Sequence, residues 1–345
     1  MNLAGDTIGD IWSGIAVLAG GGGGHPGAAR RDLATAVSLP VDVTALSGLP
    51  DDATVVTAFG VGSVGTGEDE RRDALRHALD AFQDRCGISP DAVMPVEVGA
   101  GTVAGAAIAA DVLDVPLVDA DHVGLRCAPD IQCETITLAG LDRTPLVAAT
   151  AAETETISAA EDPADIEDRL RDLASERTWY VLGYPLTAAQ LRDAVETGWT
   201  GRAYRIGRAL RRGTLDGIDG VTVLARGRLA TVDLQEADGF TVGRIRVAAD
   251  GRYDVYVKNE NIFVERDGDR VATAPATITL IDTEQGEAVY NGAPPAVGTP
   301  VTLLEIAPAP LWDTAAGREL FAPEALGFAV EPDAVRYKDI TRWER

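Results

Sequence analysis

Three carboxylates lie at the ends of predicted strands in the first half of the sequence. Glu97 belongs to the end of a strand predicted over 92–98, and Asp119 and Asp121 follow a strand predicted over 115–118. Carboxylates that share a cleft push their pKa values apart, so that one acts as a general base and its neighbour as an acid or charge partner. Glu97 or Asp121 would then activate water, while Asp119 orients polar groups of a substrate. Capping of the following turn is the structural alternative for Asp121.

Arg126 and Cys127 follow the paired aspartates. Arg126 either forms a salt bridge with these aspartates or orients polar groups of the substrate. Cys127 is either a nucleophile, five positions after His122, or a small buried hydrophobic residue. His25 and His122 are the candidates for a metal site, although the sequence contains neither HxH nor HExxH spacing. The sequence therefore requires no cofactor and leaves a divalent metal open.

A run of five glycines at 20–24 stands immediately before His25 and contains a formal GxGxxG motif. A dinucleotide-binding fingerprint needs an acidic residue after the second strand, roughly 20 positions on, and Asp42 comes early and follows no clear strand. The alternatives are a backbone nest for a small polar or anionic ligand and a turn that requires positive φ. One or two glycines would satisfy a turn. The longer run therefore predicts substrate-binding residues: Gly22, Gly23, Gly24 and His25.

Two further polar segments complete the predicted site. Gly99 and Gly101 follow Glu97, where a glycine-rich turn would let a ligand approach the backbone. Asn259 and Glu260 lie between two alternating runs of the second half. They form either a plain turn or a set of hydrogen-bonding groups that contacts the ligand from a second domain.

The first half of the chain alternates predicted strands with predicted helices, which is typical of a parallel, doubly wound sheet. The predicted strands span 15–19, 54–59, 92–98 and 115–118, and the predicted helices span 28–37, 68–85 and 103–113. Ligands of such sheets bind beyond the carboxyl ends of the strands. We therefore expect the loops at 20–24, 60–65, 97–101 and 119–121 to converge on one edge.

The pattern changes near Gly213. From Val221 onward, short alternating runs are separated by Asp-Gly and Asn-Gly turn signals, among them Asn291-Gly292. The sequence thus predicts an α/β domain over 1–213, with three layers and a mostly parallel sheet. It also predicts an all-β domain over 214–345, either a sandwich or a partial barrel, packed tightly against the first.

The 345 residues include 54 acidic and 30 basic side chains, for a formal net charge of −24. Only Lys258 and Lys338 are lysines, which favours adaptation to a high-salt cytoplasm, although a GC-rich genome would also replace lysine with arginine. This charge argues against nucleic acid and anionic membranes as partners. Three cysteines without CxxC spacing indicate a reducing compartment, and no apolar segment is long enough to span a bilayer. We expect a cytoplasmic homo-oligomer.

Several segments together resemble the S-methyl thiohydantoin desulfurase family over nearly the whole chain. They are the glycine-rich stretch 18–26, the stretches 95–101, 116–121, 124–126 and 258–261, and the residues Trp312, Gly327 and Phe328. The chain departs from the family pattern at four positions. His25 replaces an aspartate, Ala100 replaces a glycine, Leu125 is inserted, and Ala276 stands where the family tends to carry an acid.

The resemblance implies an N-terminal three-layer α/β domain and a C-terminal β domain. It also implies hydrolysis at a ring carbon of a hydantoin-like, small polar heterocycle, with methanethiol as the leaving group. A hydantoinase/oxoprolinase protein is the implied partner. The alternative function is a non-catalytic ligand-binding protein or a subunit of such a complex.

Overall fold

The computed structural model describes residues 2–3, 7–37, 40–62, 68–159, 162–175, 177–237 and 239–344. The α-helices of these ranges are α1 (Ile8–Leu18), α2 (Pro26–Ala36), α3 (Glu68–Cys86), α4 (Ala100–Leu113), α5 (Thr135–Leu138), α6 (Pro163–Ala174), α7 (Ala188–Arg192), α8 (Trp199–Arg212) and α9 (Ala315–Leu320). The strands of the first part are β1 (Asn2–Leu3), β2 (Val41–Thr44), β3 (Thr54–Val61), β4 (Ala92–Met94), β5 (Leu117–Val118), β6 (Ala120–Asp121), β7 (Leu146–Ala149), β8 (Thr154–Ile157), β9 (Trp179–Thr187) and β10 (Glu196–Thr197). The strands of the second part are β11 (Val221–Ala237), β12 (Phe240–Ala248), β13 (Arg252–Lys258), β14 (Glu260–Arg266), β15 (Asp269–Asp282), β16 (Glu287–Ala288), β17 (Pro300–Ile306), β18 (Phe328–Val330), β19 (Ala334–Tyr337) and β20 (Thr341–Glu344).

An eight-stranded sheet, in the order β1-β2-β5-β4-β3-β9-β7-β8, forms the centre of the first part. The pairings among β2, β5, β4 and β3 are parallel. The strands flanking these four pair in antiparallel fashion. The sequence predicted a mostly parallel sheet, whereas only the four central strands run parallel to one another. A strand's own periodicity does not encode its direction, which depends on how the chain returns to the sheet.

The sheet lies between two helical layers, because neighbouring residues of a buried strand face opposite sides. Val56 and Val93 belong to the core shared with α1, α2, α3, α4 and α8. Val55 and Met94 belong to the core shared with α6 and α7. Both faces of the central strands are thus apolar, as sequences of buried parallel strands are.

Helix α1 corrects one prediction: residues 15–19, predicted as a strand, are helical through Leu18. The helix packs against α8 at close range, since a β-carbon on Gly14 would overlap the backbone of Ala203. An apolar run that is buried on nearly all sides lacks the amphipathic period by which a sequence reveals a helix. The glycine run consequently joins two helices. It lacks the preceding strand that a dinucleotide-binding fingerprint requires.

The second part contains a closed six-stranded antiparallel barrel formed by β11, β12, β13, β14, β15 and β17. Closure depends on β15, which pairs with both β14 and β17 and so leaves these strands without an open edge. The long strand β11 covers two predicted runs and carries irregular pairing at Val223/Ala225 and at Leu229/Thr231. The structure thus resolves the predicted sandwich or partial barrel as a closed barrel.

The two parts share a packed boundary. Ile281, Leu304 and Ile306 of the barrel belong to the same buried cluster as α1. Hydrogen bonds from the amides of Asn261 and Asn291 to the carbonyls of Gly20 and Gly21, both 2.8 Å long, attach the glycine run to the barrel part. No helix within the described ranges has the length and apolarity needed to cross a membrane.

Candidate active site

The glycine run connects α1 to α2 in a conformation that side chains disfavour. Gly20, Gly21, Gly23 and Gly24 have φ values of 61°, 98°, 66° and 85°. Such left-handed backbone is accessible to glycine at little steric cost. The carbonyl of Gly23 accepts a 2.8 Å hydrogen bond from the amide of Gly101, so the loop is held by the α/β part as well as by the barrel part.

Glu97 is positioned between β4 and α4, beside the glycine run. Its Oε1 accepts a hydrogen bond from Thr102 Oγ1 at 2.9 Å, and its Oε2 accepts one from the amide of Ala128 at 3.1 Å. Burial raises the pKa of Glu97 above its usual value, against the opposing effect of these hydrogen bonds. The two bonds orient the carboxylate.

Glu260 comes from the barrel, at the start of β14, and reaches the same place. Its side chain is 2% exposed. Its Oε2 is buried and makes no hydrogen bond with any residue that the structure describes. Burial, with the charge of Glu97 adding to it, raises the pKa of Glu260 well above the usual range. A buried carboxylate oxygen without a partner is costly, so this atom marks a candidate position for a ligand contact.

Cys127 completes the group. Burial raises the pKa of its thiol well above the ordinary value, and the charges of Glu97 and Glu260 act in the same direction. The Sγ of Cys127 and one oxygen from each carboxylate all lie within 4.8 Å of one another. We call Glu97, Cys127 and Glu260 the carboxylate–thiol cluster.

The glycines pack directly on this cluster. A β-carbon on Gly22 would overlap the carboxylate of Glu260. A β-carbon on Gly23 would lie 2.6 Å from Cys127 Sγ, and one on Gly99 would lie 2.8 Å from the same atom. Each of these distances is shorter than a van der Waals contact. Glycine is therefore required here so that the cluster and the backbone can approach each other.

A cavity of about 360 Å³ opens above the cluster. Glu97 and Glu260 line it on one side, and Arg71 and Tyr180 line it as well. Arg71 Nε donates to Tyr180 Oη at 3.1 Å, and the guanidinium forms a 3.1 Å ion pair with Asp32. A second cavity of about 790 Å³ also reaches Glu97. Glu97 thus lies where the two cavities adjoin.

His25 lines the smaller cavity but does not join the cluster. It caps α2, where its Nδ1 accepts hydrogen bonds from the amides of Gly27 at 3.1 Å and Ala28 at 3.4 Å. Its ring packs edge-on against Tyr290, with centroids 5.7 Å apart. Among the predicted binding residues, Gly22, Gly23, Gly24, Gly101, Asn259 and Glu260 line the cavity too, whereas Gly99 packs behind it.

Sequence reasoning missed Asn291, Arg71 and Tyr180. Asn291 was predicted as part of an Asn-Gly hairpin turn, yet it is 2% exposed. Its Nδ2 donates to the carbonyl of Asn259 at 2.8 Å and to Asn261 Oδ1 at 3.1 Å, and so supports the turn that carries Glu260. One sequence signal argued against a hairpin turn at Asn291: too many residues separate it from the next strand, β17. No sequence signal distinguishes Arg71 or Tyr180 from other residues of their helix and strand.

The structure does not bring Asp119 to the cavity. Its Oδ1 accepts from the amide of Thr200 at 2.9 Å, and its Oδ2 accepts from Thr200 Oγ1 at 2.8 Å. Both oxygens therefore serve the first turn of α8. The predicted convergence holds for the loops at 20–24, 60–62 and 97–101, but not for Asp119; residues 63–65 of the second loop lie outside the described ranges.

Asp121 caps the turn that follows it, which is the structural alternative to a catalytic role. It is fully buried, and its two oxygens accept hydrogen bonds from the amides of Val123 at 3.0 Å and Leu125 at 2.8 Å. Burial raises the pKa of Asp121 to about 8. His122 is buried against Tyr184, with ring centroids 5.3 Å apart, and neither it nor His25 belongs to the cluster of candidate metal ligands found in the described ranges.

Arg126 contacts neither of the paired aspartates through a described hydrogen bond or ion pair. Its Nε donates to the carbonyl of Cys127 at 2.8 Å, and its Nη1 donates to the carbonyls of Pro275 and Ala276. The guanidinium also lies 4.6 Å from the ring centroid of Phe321. Arg126 therefore ties the cluster segment to β15 of the barrel. Its charge interacts favourably with Glu260 and Glu97.

The fold and the site define a protein with an α/β domain and a β-barrel that enclose a polar cavity between them. The S-Me-THD-like N-terminal domain model matches residues 6–160, and the S-Me-THD-like C-terminal domain model matches residues 161–335. The chain belongs to the S-Me-THD-like family. The boundary between these two domain matches falls inside the α/β part of the structure. Strand β9 lies in the C-terminal match, yet it belongs to the eight-stranded sheet.

A solved structure supports the fold. The X-ray crystal structure of a protein from Chromobacterium violaceum superposes with a TM-score of 0.78 at 20% sequence identity, over 94% of this chain and 96% of that chain. At this identity, the similarity concerns the fold alone. No curated protein matches the sequence at a significant level.

Proposed function

We propose that the protein is a hydrolase that acts on a hydantoin-like heterocycle of the S-methyl thiohydantoin type. The observation that carries the proposal is the meeting of Glu97 and Glu260, from the two domains, at the wall of one small cavity. Membership of the S-Me-THD-like family supports the substrate class.

The dimensions and lining of the cavity suit a small polar ring. A volume of about 360 Å³ is near the lower end of ligand sites, where compact ligands fit. Gly22, Gly23 and Gly24 place backbone at the cavity wall with no side chain between it and a ligand. Asn259 adds an amide side chain from the barrel side. These groups match the alternating N–H and C=O groups of an imide edge.

The reaction consumes one water molecule and needs no oxidant or reductant. Water adds to the ring carbon that carries the methylthio group, and a carboxylate of Glu97 or Glu260 accepts the proton of the attacking water. The carbon–sulfur bond then breaks, and methanethiol leaves after taking up a proton from the carboxylic acid. The products are the hydantoin and methanethiol, so all atoms of substrate and water are accounted for.

Turnover of the named compound tests this function. The purified protein in buffer of high KCl concentration is incubated with S-methyl thiohydantoin, and separately with hydantoin. Methanethiol release is followed with a thiol reagent, and ring opening is followed by chromatography. We expect methanethiol and hydantoin as products, with kcat lowered by about 10²-fold or more in Glu97→Gln and Glu260→Gln.

Asp119→Asn is the matched control, because Asp119 is a carboxylate outside the cavity. It should retain kcat within a few fold of the wild type. Absence of turnover for both compounds would overturn the proposed chemistry. Full activity in both glutamate variants would overturn the assignment of the site.

A further inference from the structure

We propose that Glu97, Cys127 and Glu260 form a binding site for a zinc ion. The inference deepens the proposed function, on which it rests for the use of the ion, but the binding itself is testable without any substrate. One thiolate and two carboxylates supply three ligand atoms, and the cavity above them supplies an open fourth position. Three protein ligands with an open position are the pattern of catalytic zinc sites.

The geometry of the cluster is close to what zinc requires. The three ligand atoms lie within 4.8 Å of one another. In a tetrahedral zinc site, bond lengths of about 2.0–2.3 Å place ligand atoms about 3.5 Å apart. The ligand atoms would therefore have to approach one another by about 1.3 Å at most, which side-chain rotation can supply.

An unpartnered atom points to the ion independently of the clustering. Glu260 Oε2 is buried and lacks a hydrogen-bond donor among the described residues, although the side chain is 2% exposed. Leaving such an atom without a partner costs free energy comparable to a lost hydrogen bond. A cation bound at the cluster supplies the missing partner.

The other two ligands are held in place by further contacts, as metal ligands commonly are. Glu97 receives hydrogen bonds from Thr102 and from the amide of Ala128. The carbonyl of Cys127 is fixed by Arg126 Nε at 2.8 Å. The Glu97 carboxylate is therefore oriented, and the backbone of Cys127 is anchored, before an ion binds.

The charges favour a divalent cation. Two carboxylates and one thiolate carry three negative charges, and the buried guanidinium of Arg126, which interacts with all three groups, offsets one of them. A dication offsets the remaining two. The thiolate selects zinc over magnesium and calcium, which prefer all-oxygen sites.

The ion would change how water is activated in the proposed reaction. Zinc lowers the pKa of a bound water to about 7 and polarises it for attack. Glu97 and Glu260 would then hold the ion beside the ring carbon, and the proton released by the bound water would be taken up, through solvent, by the departing methanethiolate. The reaction products stay the same.

Cobalt is the direct probe, because a cobalt–thiolate bond produces a charge-transfer band that oxygen ligands alone do not. The full-length protein is stripped with a chelator and titrated with Co²⁺, and then Zn²⁺ is added. We expect one equivalent of Co²⁺ to bind with a thiolate band, and Zn²⁺ to displace it. Cys127→Ser should abolish the band, and Glu260→Gln should weaken Co²⁺ binding by at least about tenfold.

Cys133→Ser is the matched control, since Cys133 is also a buried free cysteine and its Sγ lies 3.3 Å from the carbonyl of Leu320, away from the cluster. It should keep the band. If Cys127→Ser fails to fold, the Co²⁺ titration of Glu260→Gln tests the site instead. Absence of saturable Co²⁺ binding, or binding unchanged in the cluster variants, overturns the zinc site. If the stripped protein still turns over substrate, the proposed hydrolase activity stands without the zinc site. If the protein binds the metal but shows no turnover, the zinc site stands without the proposed activity.

Discussion

Gly22 and Glu260 lie so close together that a single β-carbon on Gly22 would overlap the glutamate carboxylate. Gly22 belongs to the loop after α1, and Glu260 belongs to the barrel. The contact therefore joins the two domains at the wall of the cavity. It explains why a glycine is needed at a position whose own φ does not require one.

Gly22→Ala should displace the Glu260 carboxylate while the fold persists. The added methyl group enters space held by a side chain that is buried and has little freedom to move. We expect a loss of kcat of at least about tenfold with methylthio substrate, because general acid–base groups act only at hydrogen-bonding distance.

Gly9→Ala is the control for this change. Gly9 lies in α1, and a β-carbon there would meet nothing within 4 Å. Alanine should leave activity unchanged and stabilise the helix by about 0.5–1 kcal/mol. Equal kcat values for Gly22→Ala and Gly9→Ala would show that the contact with Glu260 does not matter for turnover.

Asp119→Ala should change stability and leave catalysis intact. Both oxygens of Asp119 accept hydrogen bonds from Thr200 at the start of α8. Loss of this cap should lower the free energy of unfolding by about 1 kcal/mol, measured by urea titration. A loss of kcat by two orders of magnitude at unchanged stability would return Asp119 to the role predicted from sequence.

Arg143→Met should destabilise the protein strongly. Arg143 Nε forms a 2.7 Å ion pair with Glu134 Oε2, and the side chains are 4% and 3% exposed. Removing one partner leaves the other charge buried, at a cost of about 3–5 kcal/mol in the free energy of unfolding. Burial raises the pKa of Glu134 to about 7 against the lowering effect of Arg143, and removal of Arg143 should raise this pKa further. Protonation of Glu134 should therefore recover part of the loss already at neutral pH.

The double variant Glu134→Gln, Arg143→Met tests the cause. It should be more stable than Arg143→Met alone, because no unpaired charge remains. A double variant that is less stable than the single variant would contradict this explanation. Guanidinium chloride unfolding of the three proteins gives the comparison.

His122 should make stability fall as the pH is lowered. Burial lowers the pKa of His122 to about 3 from the ordinary 6.5, and the charge of Arg143 acts in the same direction. At a pH above 6.5, the pKa of the unfolded chain, His122 is neutral in both the folded and the unfolded protein. Between the two values, only the unfolded chain binds the proton, so the free energy of unfolding falls by up to about 1.4 kcal/mol per pH unit.

The comparison with His122→Phe isolates this effect. Tyr184 and Arg143 face the histidine and keep one charge state over this pH range, whereas Glu134, which is bonded to both of them, titrates in both proteins. Glu134 acts in the opposite direction, since its raised pKa favours the folded state as the pH falls through about 7. Urea unfolding from about pH 8 to 5 should show the steeper decline for the wild type. Parallel curves would contradict a buried neutral His122.

Local sequence patterns were sufficient to predict most of the helices and strands. The amphipathic pattern over 68–85 and the alternating runs after Val221 correspond to α3 and to the barrel strands. The apolar run of α1 was predicted incorrectly, because its burial against α8 removes the polar face that identifies a helix. Strand direction and barrel closure were also outside the reach of periodicity, since both depend on which strands become neighbours.

The sequence by itself determined the two-part architecture, the glycine run, and the chemical types of the polar residues, because these follow from local composition and spacing. Only the tertiary structure decided which carboxylates meet. Asp119 and Asp121 stand nearer to Glu97 in sequence, but Asp119 bonds to the start of α8 and Asp121 caps the turn that follows it. Glu260 instead approaches Glu97 from the other domain. Hydrogen-bond partners and burial depend on packing between distant segments, and that packing separates a capping aspartate from a carboxylate of the site.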